Sequence, residues 1–239
     1  MAGADPRLVE ELVAANRVLA AEGVLDGYGH VSVRHDRDPG RYLLSRARAP
    51  ELVEADDVME HDLDSEPADP RGRAPYTERF IHGEIYRARA DVGAVVHHHS
   101  PSVIPFGAST VPLRPLYHMS AFLGAGGGGV PVFDIRRAAG RATDMLVRDA
   151  ALGRALAATL GGRAVALMRG HGAVVVGASL AQAVGRSIYL ELNARLQLQA
   201  IQLGGPVTYL DPEEARLATA TLADYGRAWE LWKRKAAAR

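Results

Sequence analysis

Three histidines carry the strongest chemical signal in the sequence. His97 and His99 end an apolar run that begins at Val92, and one residue separates them. Because alternate side chains share a face in extended backbone, the two imidazoles can bind one ion while His98 points away. His171 lies between two glycines after a second apolar run, where a sharp bend can hold a side chain at the end of a strand. The sequence therefore predicts a metal site formed by His97, His99 and His171.

Glu78, at the start of a predicted helix, is the candidate fourth ligand and proton carrier. Three imidazoles with one carboxylate are typical of an open catalytic metal site rather than a closed structural one. The chain has no cysteine, so nitrogen and oxygen atoms must hold any metal, and neutral imidazoles suit Zn, Mn, Fe or Ni. Structural explanations remain open: a surface histidine run, a turn histidine, and a first-turn glutamate favoured by the helix dipole.

Helices and strands alternate along the chain in an order that would carry these residues. Helices are predicted over 6–22, 78–89, 142–160, 180–203 and 211–235, with one or two helical turns within 101–108. Strands are predicted over 31–34, 41–44, 58–63, 92–97, 130–135, 164–168 and 173–176. No linker, repeat or charge block divides the chain. The order predicts a single mixed α/β domain over residues 1–239.

Composition narrows the class of protein. The 239 residues are 48% hydrophobic and 23% charged, which is an ordinary globular mixture. Lys plus Arg and Asp plus Glu both number 28, and a net charge of zero disfavours a nucleic-acid partner. No apolar run approaches the ~20 residues that span a bilayer, and the N-terminus lacks the basic start and apolar stretch of a signal peptide. A cytoplasmic protein with no membrane partner is expected.

Four segments resemble the class II aldolase/adducin family in their order and spacing. They are Gly-Tyr-Gly-His-Val-Ser-Val-Arg at 27–34, Thr-Glu-Arg-Phe-Ile-His at 77–82, Val-Val-His-His-His-Ser at 95–100 and Met-Arg-Gly-His-Gly-Ala at 168–173. The resemblance covers roughly residues 7–205, before the predicted C-terminal helix at about 211–235. It implies a three-layer α/β/α domain with a mostly antiparallel central sheet. It also implies a homo-oligomer, commonly a tetramer, with active sites between subunits.

The resemblance implies roles for the candidate residues. By position, His97, His99 and His171 match the family's metal ligands, and Glu78 matches the acidic residue that ligates the metal and shuttles a proton. The implied cofactor is one divalent ion per subunit, with Mn or Zn favoured and Co or Fe also suited to such ligands. A further pair lies where the family often places an aromatic proton donor that reaches a neighbouring subunit, and a buried structural pair is the alternative: Tyr117 and His118.

The sequence departs from the family's sugar-phosphate aldolases where their substrate's phosphate binds. His30 replaces an Asn, the stretch 45–48 replaces a Thr-Pro-x-Gly-like turn, and larger residues at 76–77 replace two small hydroxyls. Arginine pairs with carboxylates in a bidentate way, which favours an organic acid as the substrate and partner. The alternative for the two arginines is a pair of salt bridges on a loop. The candidate substrate contacts are His30, Ser45, Arg46 and Arg48.

This pattern is similar to the decarboxylase branch of the family, whose members act on dihydroxyphthalate or hydroxypyridine-dicarboxylate compounds. It implies a metal-dependent carbon–carbon lyase, a non-oxidative decarboxylase of an ortho-hydroxy aromatic mono- or dicarboxylate. Glu78 or His118 would protonate the ring carbon that bears the carboxylate. Three alternatives remain open: an aldolase acting on a non-phosphorylated hydroxy-keto acid, an Fe(II)-dependent oxidative decarboxylase, and a non-enzymatic adducin-like module.

Overall fold

A seven-stranded sheet lies at the centre of the computed structural model, which describes residues 3–125, 127–222 and 224–238. The strands are β1 (His30–Arg34), β2 (Arg41–Ser45), β3 (Val58–Asp62), β4 (Ala94–His98), β5 (Val132–Phe133), β6 (Val165–Met168) and β7 (Gly172–Gly177). Their spatial order is β3-β2-β1-β4-β7-β6-β5. Among these strands, every pairing is antiparallel except that of β5 with β6. The prediction of a mostly antiparallel central sheet is confirmed.

Helices cover both faces of this sheet. They are α1 (Pro6–Ala21), α2 (Phe80–Ala88), α3 (Ile104–Ala108), α4 (Ile135–Ala139), α5 (Ala150–Leu160), α6 (Leu180–Gln202), α7 (Pro212–Thr221) and α8 (Gly226–Ala237). Successive residues of β4 point to opposite faces. Val96 packs into a core with α1, α6 and α8, whereas Val95 packs into a second core with α2 and α5. The predicted three-layer α/β/α arrangement is confirmed.

Side-chain caps decide where two of these helices begin. Asp5 accepts a hydrogen bond from the backbone N–H of Arg7 at the start of α1, as its position before a proline predicts. Asp149 accepts one from the N–H of Leu152 and starts α5. The helix predicted over 142–160 is therefore wrong in its first half. Residues 142–149 form a loop instead, and that loop reaches the candidate site.

Three more predicted boundaries are wrong. The helix predicted over 211–235 is two helices, α7 and α8, since Asp224 accepts the N–H of Gly226 and a second helix starts there. The strand predicted over 130–135 shortens to β5 because Asp134 caps α4. The helix predicted over 78–89 begins at Phe80, so Glu78 precedes it. In the described ranges, no helix is both long and apolar enough to cross a bilayer.

Candidate metal centre

Four side chains from three separate segments meet at one end of β4. We call them the ligand cluster: Glu78, His97, His99 and His171, whose potential ligand atoms all lie within 4.8 Å of one another. The Nε2 atoms of His97 and His99 are 3.1 Å apart. Oε2 of Glu78 lies 3.6 Å from Nε2 of His97 and 3.5 Å from Nε2 of His171. The structure thus brings together all four residues that the sequence predicts as ligands.

The turn that carries His171 depends on the glycines on either side of it. Gly170 has a φ angle of 62°, in the left-handed region that favours glycine. A Cβ atom on Gly172 would lie 2.0 Å from the carbonyl oxygen of His98, so a larger residue would push β7 away from β4. The two glycines therefore let the turn close tightly enough to hold His171 beside His99.

Backbone carbonyls hold two of the imidazoles from behind. Nδ1 of His97 lies 3.1 Å from the carbonyl oxygen of Ala173, and Nδ1 of His171 lies 3.0 Å from that of Met145. A carbonyl oxygen can only accept, so each Nδ1 carries the proton and each Nε2 directs a lone pair into the cluster. Met145 itself has a φ of 73°, an uncommon backbone angle for a side chain of this size.

A carboxylate plays the same part for the third imidazole. Nδ1 of His99 lies 3.5 Å from Oδ1 of Asp26, and the same oxygen accepts the backbone N–H groups of Tyr28 and Gly29. Asp26 therefore fixes both the loop at 27–29 and the orientation of the His99 ring. Acceptors at the outer nitrogen are the usual companions of metal-ligating histidines.

Glu78 lies in the turn that precedes α2. Its Oε1 accepts the backbone N–H of Val147 at 2.8 Å, which leaves Oε2 to face the imidazoles. The loop at 142–149 therefore supports two members of the ligand cluster, Glu78 through Val147 and His171 through Met145.

The members of the cluster change one another's proton affinity. Burial would raise the pKa of Glu78, but the contacts with His171 and His97 outweigh burial and hold that pKa well below its usual range. Burial and then the neighbouring His97 lower the pKa of His99 to about 4. For His171, the hydrogen bond with Glu78 outweighs burial and raises the pKa. An ionised carboxylate and a neutral imidazole are the protonation states in which these groups bind a cation, so the shifts of Glu78 and His99 favour binding, whereas a protonated His171 would release its proton to bind one.

The donor set and its spacing fit a divalent ion. Ligands about 2.1 Å from a tetrahedral ion are roughly 3.4 Å from one another. Three of the distances in the ligand cluster, His97–His99, His97–Glu78 and His171–Glu78, are 3.1, 3.6 and 3.5 Å. Three nitrogens and one carboxylate oxygen suit zinc and other divalent first-row transition metals. The four side chains could therefore hold one metal ion.

A cavity of about 420 Å³ opens over the ligand cluster, a volume in the range of small-molecule sites. Two of the predicted substrate contacts, His30 and Arg48, line it. Two aromatic residues that the sequence did not predict as substrate contacts line it as well: Tyr28, which is 78% exposed, and the buried Tyr76. The rings of His30 and Tyr76 lie 4.6 Å apart between centroids.

The two predicted arginine contacts share one acidic partner. Nε of Arg46 lies 2.5 Å from Oδ1 of Asp57, and Nη1 of Arg48 lies 2.6 Å from Oδ2. We call these three residues the arginine–aspartate cluster. Of the two arginines, Arg48 lines the cavity, whereas Arg46 is not among the described residues that do. Ser45 is buried behind the wall, where its hydroxyl lies 3.4 Å from the hydroxyl of Tyr76.

Tyr117 and His118 lie elsewhere on the subunit. His118 is exposed and lines a small cleft that includes Arg186 and Tyr225. The ring of Tyr117 meets that of His118 edge-on, with 6.0 Å between centroids. Neither residue is among the described residues that line the cavity over the ligand cluster. Within one subunit, the structure does not bring this pair to the predicted ligands.

Several supporting groups were missed by the sequence analysis. Asp26 could have been found, because it directly precedes the Gly-Tyr-Gly loop and an acidic residue there can reach both the loop amides and a nearby histidine. The carbonyl of Met145 and the N–H of Val147 could not, because backbone groups have no signature in residue type. Their part depends on a loop conformation that the predicted helix over 142–160 concealed.

The chain is similar in sequence to a known family and to two named decarboxylases. The family described as Class II Aldolase and Adducin N-terminal domain matches residues 10–198. The chain is 36% identical to Decarboxylase tropJ of Talaromyces stipitatus, over 95% of this chain and 93% of that protein. It is 35% identical to the 3,4-dihydroxyphthalate decarboxylase of Terrabacter sp., over 90% of this chain and 89% of that protein.

A solved structure supports the fold. The L-fuculose 1-phosphate aldolase from Glaciozyma antarctica PI12 superposes with a TM-score of 0.78 at 23% identity, covering 96% of this chain and 88% of that chain. Together with the sequence relatives, this match confirms the predicted family resemblance and the predicted fold. The relatives also confirm the prediction of an enzyme with lyase activity, and carboxy-lyase activity fits the two decarboxylases.

Proposed function

Because the chain belongs to the Class II Aldolase and Adducin N-terminal domain family, we propose that it is a divalent-metal-dependent, non-oxidative decarboxylase of an ortho-hydroxy aromatic mono- or dicarboxylate. The observation that carries the proposal is the convergence of the ligand cluster beside a cavity that His30 and Arg48 line. Two relatives of similar length are named as decarboxylases, and one of them as a decarboxylase of 3,4-dihydroxyphthalate.

The ligand cluster is our proposed site for one divalent ion per subunit. Mn²⁺ or Zn²⁺ is favoured, and Co²⁺ or Fe²⁺ is compatible with the same donors. A bound ion would supply Lewis acidity to the substrate's oxygen atoms, worth several kcal/mol in the transition state. The protein's own part is to orient the three imidazoles, through Asp26 and the carbonyls of Ala173 and Met145.

The wall of the cavity suits a planar acid. Arg48 brings positive charge to the cavity, although its Nη1 is already paired with a carboxylate oxygen of Asp57. His30 brings a polar ring nitrogen, and the rings of Tyr28 and Tyr76 offer aromatic faces against which a substrate ring can stack. Tyr76 stands where sugar-phosphate aldolases have a small hydroxyl, His30 where they have an Asn and Arg48 where they have a Thr-Pro-x-Gly-like turn, which favours an aromatic carboxylate over a phosphorylated sugar.

Two of the candidate contacts, Ser45 and Arg46, act on the substrate only through other residues of the wall. Ser45 holds the hydroxyl of Tyr76, and Arg46 holds Asp57, which in turn orients Arg48. We therefore propose His30 and Arg48 as direct substrate contacts, with Ser45 and Arg46 supporting the wall behind them.

Glu78 is placed to move the proton that decarboxylation requires. Its lowered pKa keeps the carboxylate ionised in the free site, so Oε2 carries no proton when the substrate arrives. It can then receive the proton of the ortho hydroxyl, which a bound cation would make more acidic. Transfer of that proton to the ring carbon that bears the carboxylate lets the C–C bond break. The electron pair then returns to the ring, CO₂ leaves, and a solvent proton restores the hydroxyl. Such positioned proton transfers contribute about 100- to 10,000-fold.

We also propose a homo-oligomer, a tetramer by the family pattern, in which Tyr117 and His118 complete a neighbouring subunit's site. The support is that the pair lies away from its own ligand cluster and that His118 is exposed. Mixed assembly of two impaired variants, Glu78→Ala and His118→Ala, should then restore part of the activity, because some sites receive both intact contributions. A mixture as inactive as its parents contradicts the shared site.

The decarboxylase proposal is tested by incubating the purified protein with 3,4-dihydroxyphthalate and related ortho-hydroxy aromatic acids, each with Mn²⁺ or Zn²⁺. We expect CO₂ release that chelation stops and that His99→Ala abolishes. A folded, metal-loaded protein that releases no CO₂ from any of these acids contradicts the proposal.

An aldolase acting on a non-phosphorylated hydroxy-keto acid is the second candidate, because the fold is shared with an L-fuculose 1-phosphate aldolase. Its product would be an aldehyde with no CO₂. Oxygen uptake coupled to turnover would instead indicate an Fe(II)-dependent oxidative decarboxylase.

A further inference from the structure

Two polar residues of β1 face two polar residues of α2 directly behind the cavity. His30 and Ser32 are alternate residues of the strand and share a face. His82 and Tyr86 are one helical turn apart and share a face of α2. All four are buried. They alternate in one chain of hydrogen bonds, in which the Tyr86–Ser32, Ser32–His82 and His82–His30 distances are 2.8, 2.6 and 2.7 Å.

The direction of this chain follows from the number of protons available. The Tyr86 phenol has one proton, and its recorded partners among the described residues are Oγ of Ser32 and the backbone N–H of Val95, which can only donate. The phenol must therefore donate to Ser32, because an unpaired buried O–H is costly. Ser32 then uses its own proton on Nδ1 of His82. His82 in turn carries its proton on Nε2 and donates to Nδ1 of His30.

We propose that Tyr86, Ser32 and His82 form a positioning chain that holds His30 in the tautomer with its proton on Nε2. His30 lines the cavity, and within the part of the chain that the structure describes its Nε2 has no hydrogen-bond partner. The cavity therefore presents a fixed N–H donor at this point of its wall.

Burial disfavours a positive charge on His30 and His82, so the two rings differ in tautomer rather than in charge. Burial, and then the neighbouring imidazoles, lower the pKa of both His30 and His82 well below the usual value. The 2.7 Å contact between Nδ1 of His30 and Nε2 of His82 also requires a lone pair on one of the two nitrogens, so the pair cannot be fully protonated. A neutral imidazole has one donor and one acceptor nitrogen, so the hydrogen bond at Nδ1 decides what Nε2 offers.

A fixed N–H donor selects the chemistry of the group that it meets. It favours an oxygen without a proton, such as a carboxylate or a phenolate, and disfavours an amide nitrogen or an ammonium group. Resting on the proposed function for the identity of the ligand, this assigns His30 to a carboxylate oxygen of the aromatic acid. His82, Ser32 and Tyr86 act through His30 and are positioning residues.

The tautomer can be measured without turnover. Long-range ¹H–¹⁵N spectra of the Zn²⁺-loaded protein, labelled at histidine with ¹⁵N, distinguish a protonated Nε2 from a protonated Nδ1, and the His30→Asn variant assigns the His30 signals. We expect one set of His30 signals with the proton on Nε2. A His30 ring with its proton on Nδ1 overturns the proposal, whatever the activity.

Tyr86→Phe removes the proton that sets the direction, and Tyr42→Phe is the matched control. Tyr42 is an equally buried phenol nearby, but it donates to the carbonyl of Arg79 and lies outside the positioning chain. We expect Tyr86→Phe to show a second His30 population protonated on Nδ1, and Tyr42→Phe to show none. His82→Phe, which deletes the bond to His30, should give a similar mixture.

Affinity should follow the tautomer population quantitatively. If only the Nε2-protonated form binds the acid, the apparent dissociation constant rises by the reciprocal of that form's fraction, so a fraction of about one third gives a rise of about threefold. We expect KM in Tyr86→Phe to rise by that factor with kcat nearly unchanged. A raised KM with an unaltered tautomer overturns the proposal. A correct tautomer without turnover of any aromatic acid supports the positioning chain and contradicts the decarboxylase function.

Discussion

The ligand cluster and the arginine–aspartate cluster adjoin the same cavity, but they differ in how their polar groups are satisfied. In the arginine–aspartate cluster, each oxygen of Asp57 accepts from one arginine, so opposite charges meet within the chain. In the ligand cluster, the outer nitrogens have oxygen acceptors, while the Nε2 atoms of His97 and His99 face one another at 3.1 Å. Two such lone pairs repel unless a cation lies between them.

The difference separates a binding site from its support. Side chains that converge with their lone pairs unshared require something from outside the chain, whereas charges that pair internally hold a wall in shape. Arg48 has both roles, since it supports the wall by pairing with Asp57 and also lines the cavity. Changing one member of each region at a time therefore tests this difference.

Loss of a ligand should have the largest effect. His99→Ala removes one of three nitrogen donors, so we expect loss of the stoichiometric metal and a fall in kcat/KM of about 1,000-fold or more, given the several kcal/mol that a Lewis acid contributes. Metal analysis and kinetics measure both. His98→Asn is the matched control in the same strand, because Asn can retain the acceptor that His98 offers to the N–H of Ser100. An intact metal content in His99→Ala contradicts the assignment.

Loss of an outer partner should have the next largest effect. Asp26→Asn keeps an oxygen for the amides of Tyr28 and Gly29 but removes the charge that faces His99. We expect metal affinity to fall about 10- to 100-fold, as for other outer partners of metal ligands. Chelator competition measures the affinity, with Asp38→Asn, at a half-buried aspartate outside the ligand cluster, as control. Equal affinities for the two variants would place Asp26 outside the site.

Replacing each of the two arginines should change KM by a different amount. Arg48→Ala removes a charge that lines the cavity, so we expect KM for the aromatic acid to rise about 10-fold, as for loss of a hydrogen bond to a charged group. Arg46→Ala deletes only a contact to Asp57 and should leave KM within about twofold, the scale of a partly exposed ion pair. Steady-state kinetics of both variants test this, and an equal rise in KM would make Arg46 a direct contact.

Asp57→Asn should have the smallest effect, and this effect should be on the stability of the fold. We expect the free energy of unfolding at pH 7 to fall by about 1 kcal/mol, with less change for the exposed ion-pair variant Asp69→Asn. Burial would raise the pKa of Asp57, but the hydrogen bond from Arg46 and other contacts outweigh it and lower the pKa below 3.8. Its contribution is therefore present above pH 3.8 and is lost as the pH falls through the folded-state pKa.

Urea denaturation at several pH values tests the sign of this effect. The gap between wild type and Asp57→Asn should stay constant from about pH 7 to pH 5 and narrow below about pH 4. A gap that widens on acidification contradicts the ion-pair explanation.

The sequence predicted the ligand cluster more fully than the loops around it. The alternation of His97 and His99 and the glycines beside His171 are local signals, and each restricts where a side chain can lie. The order of helices and strands predicted the layers because apolar periodicity reports which face is buried. Both depend on interactions close in sequence, which is why they could be read without a structure.

What could not be predicted depends on contacts between distant segments. Asp149 ends a loop that apolar spacing alone presents as helix, and that loop supplies the backbone groups behind Glu78 and His171. The pairing of Arg46 and Arg48 with Asp57 requires the start of β3 to lie against the loop after β2. Residue type shows a charge in each case, but only the fold shows whether a partner from the chain already satisfies it.

Anomalous diffraction from crystals of the protein loaded with Mn²⁺ or Zn²⁺ tests the metal centre most directly. We expect one peak per subunit, about 2.0–2.2 Å from Nε2 of His97, His99 and His171 and from a carboxylate oxygen of Glu78. A metal-loaded crystal with no peak between these side chains, or with its ion held by other residues, would contradict the assignment and remove the basis for a metal-dependent decarboxylase.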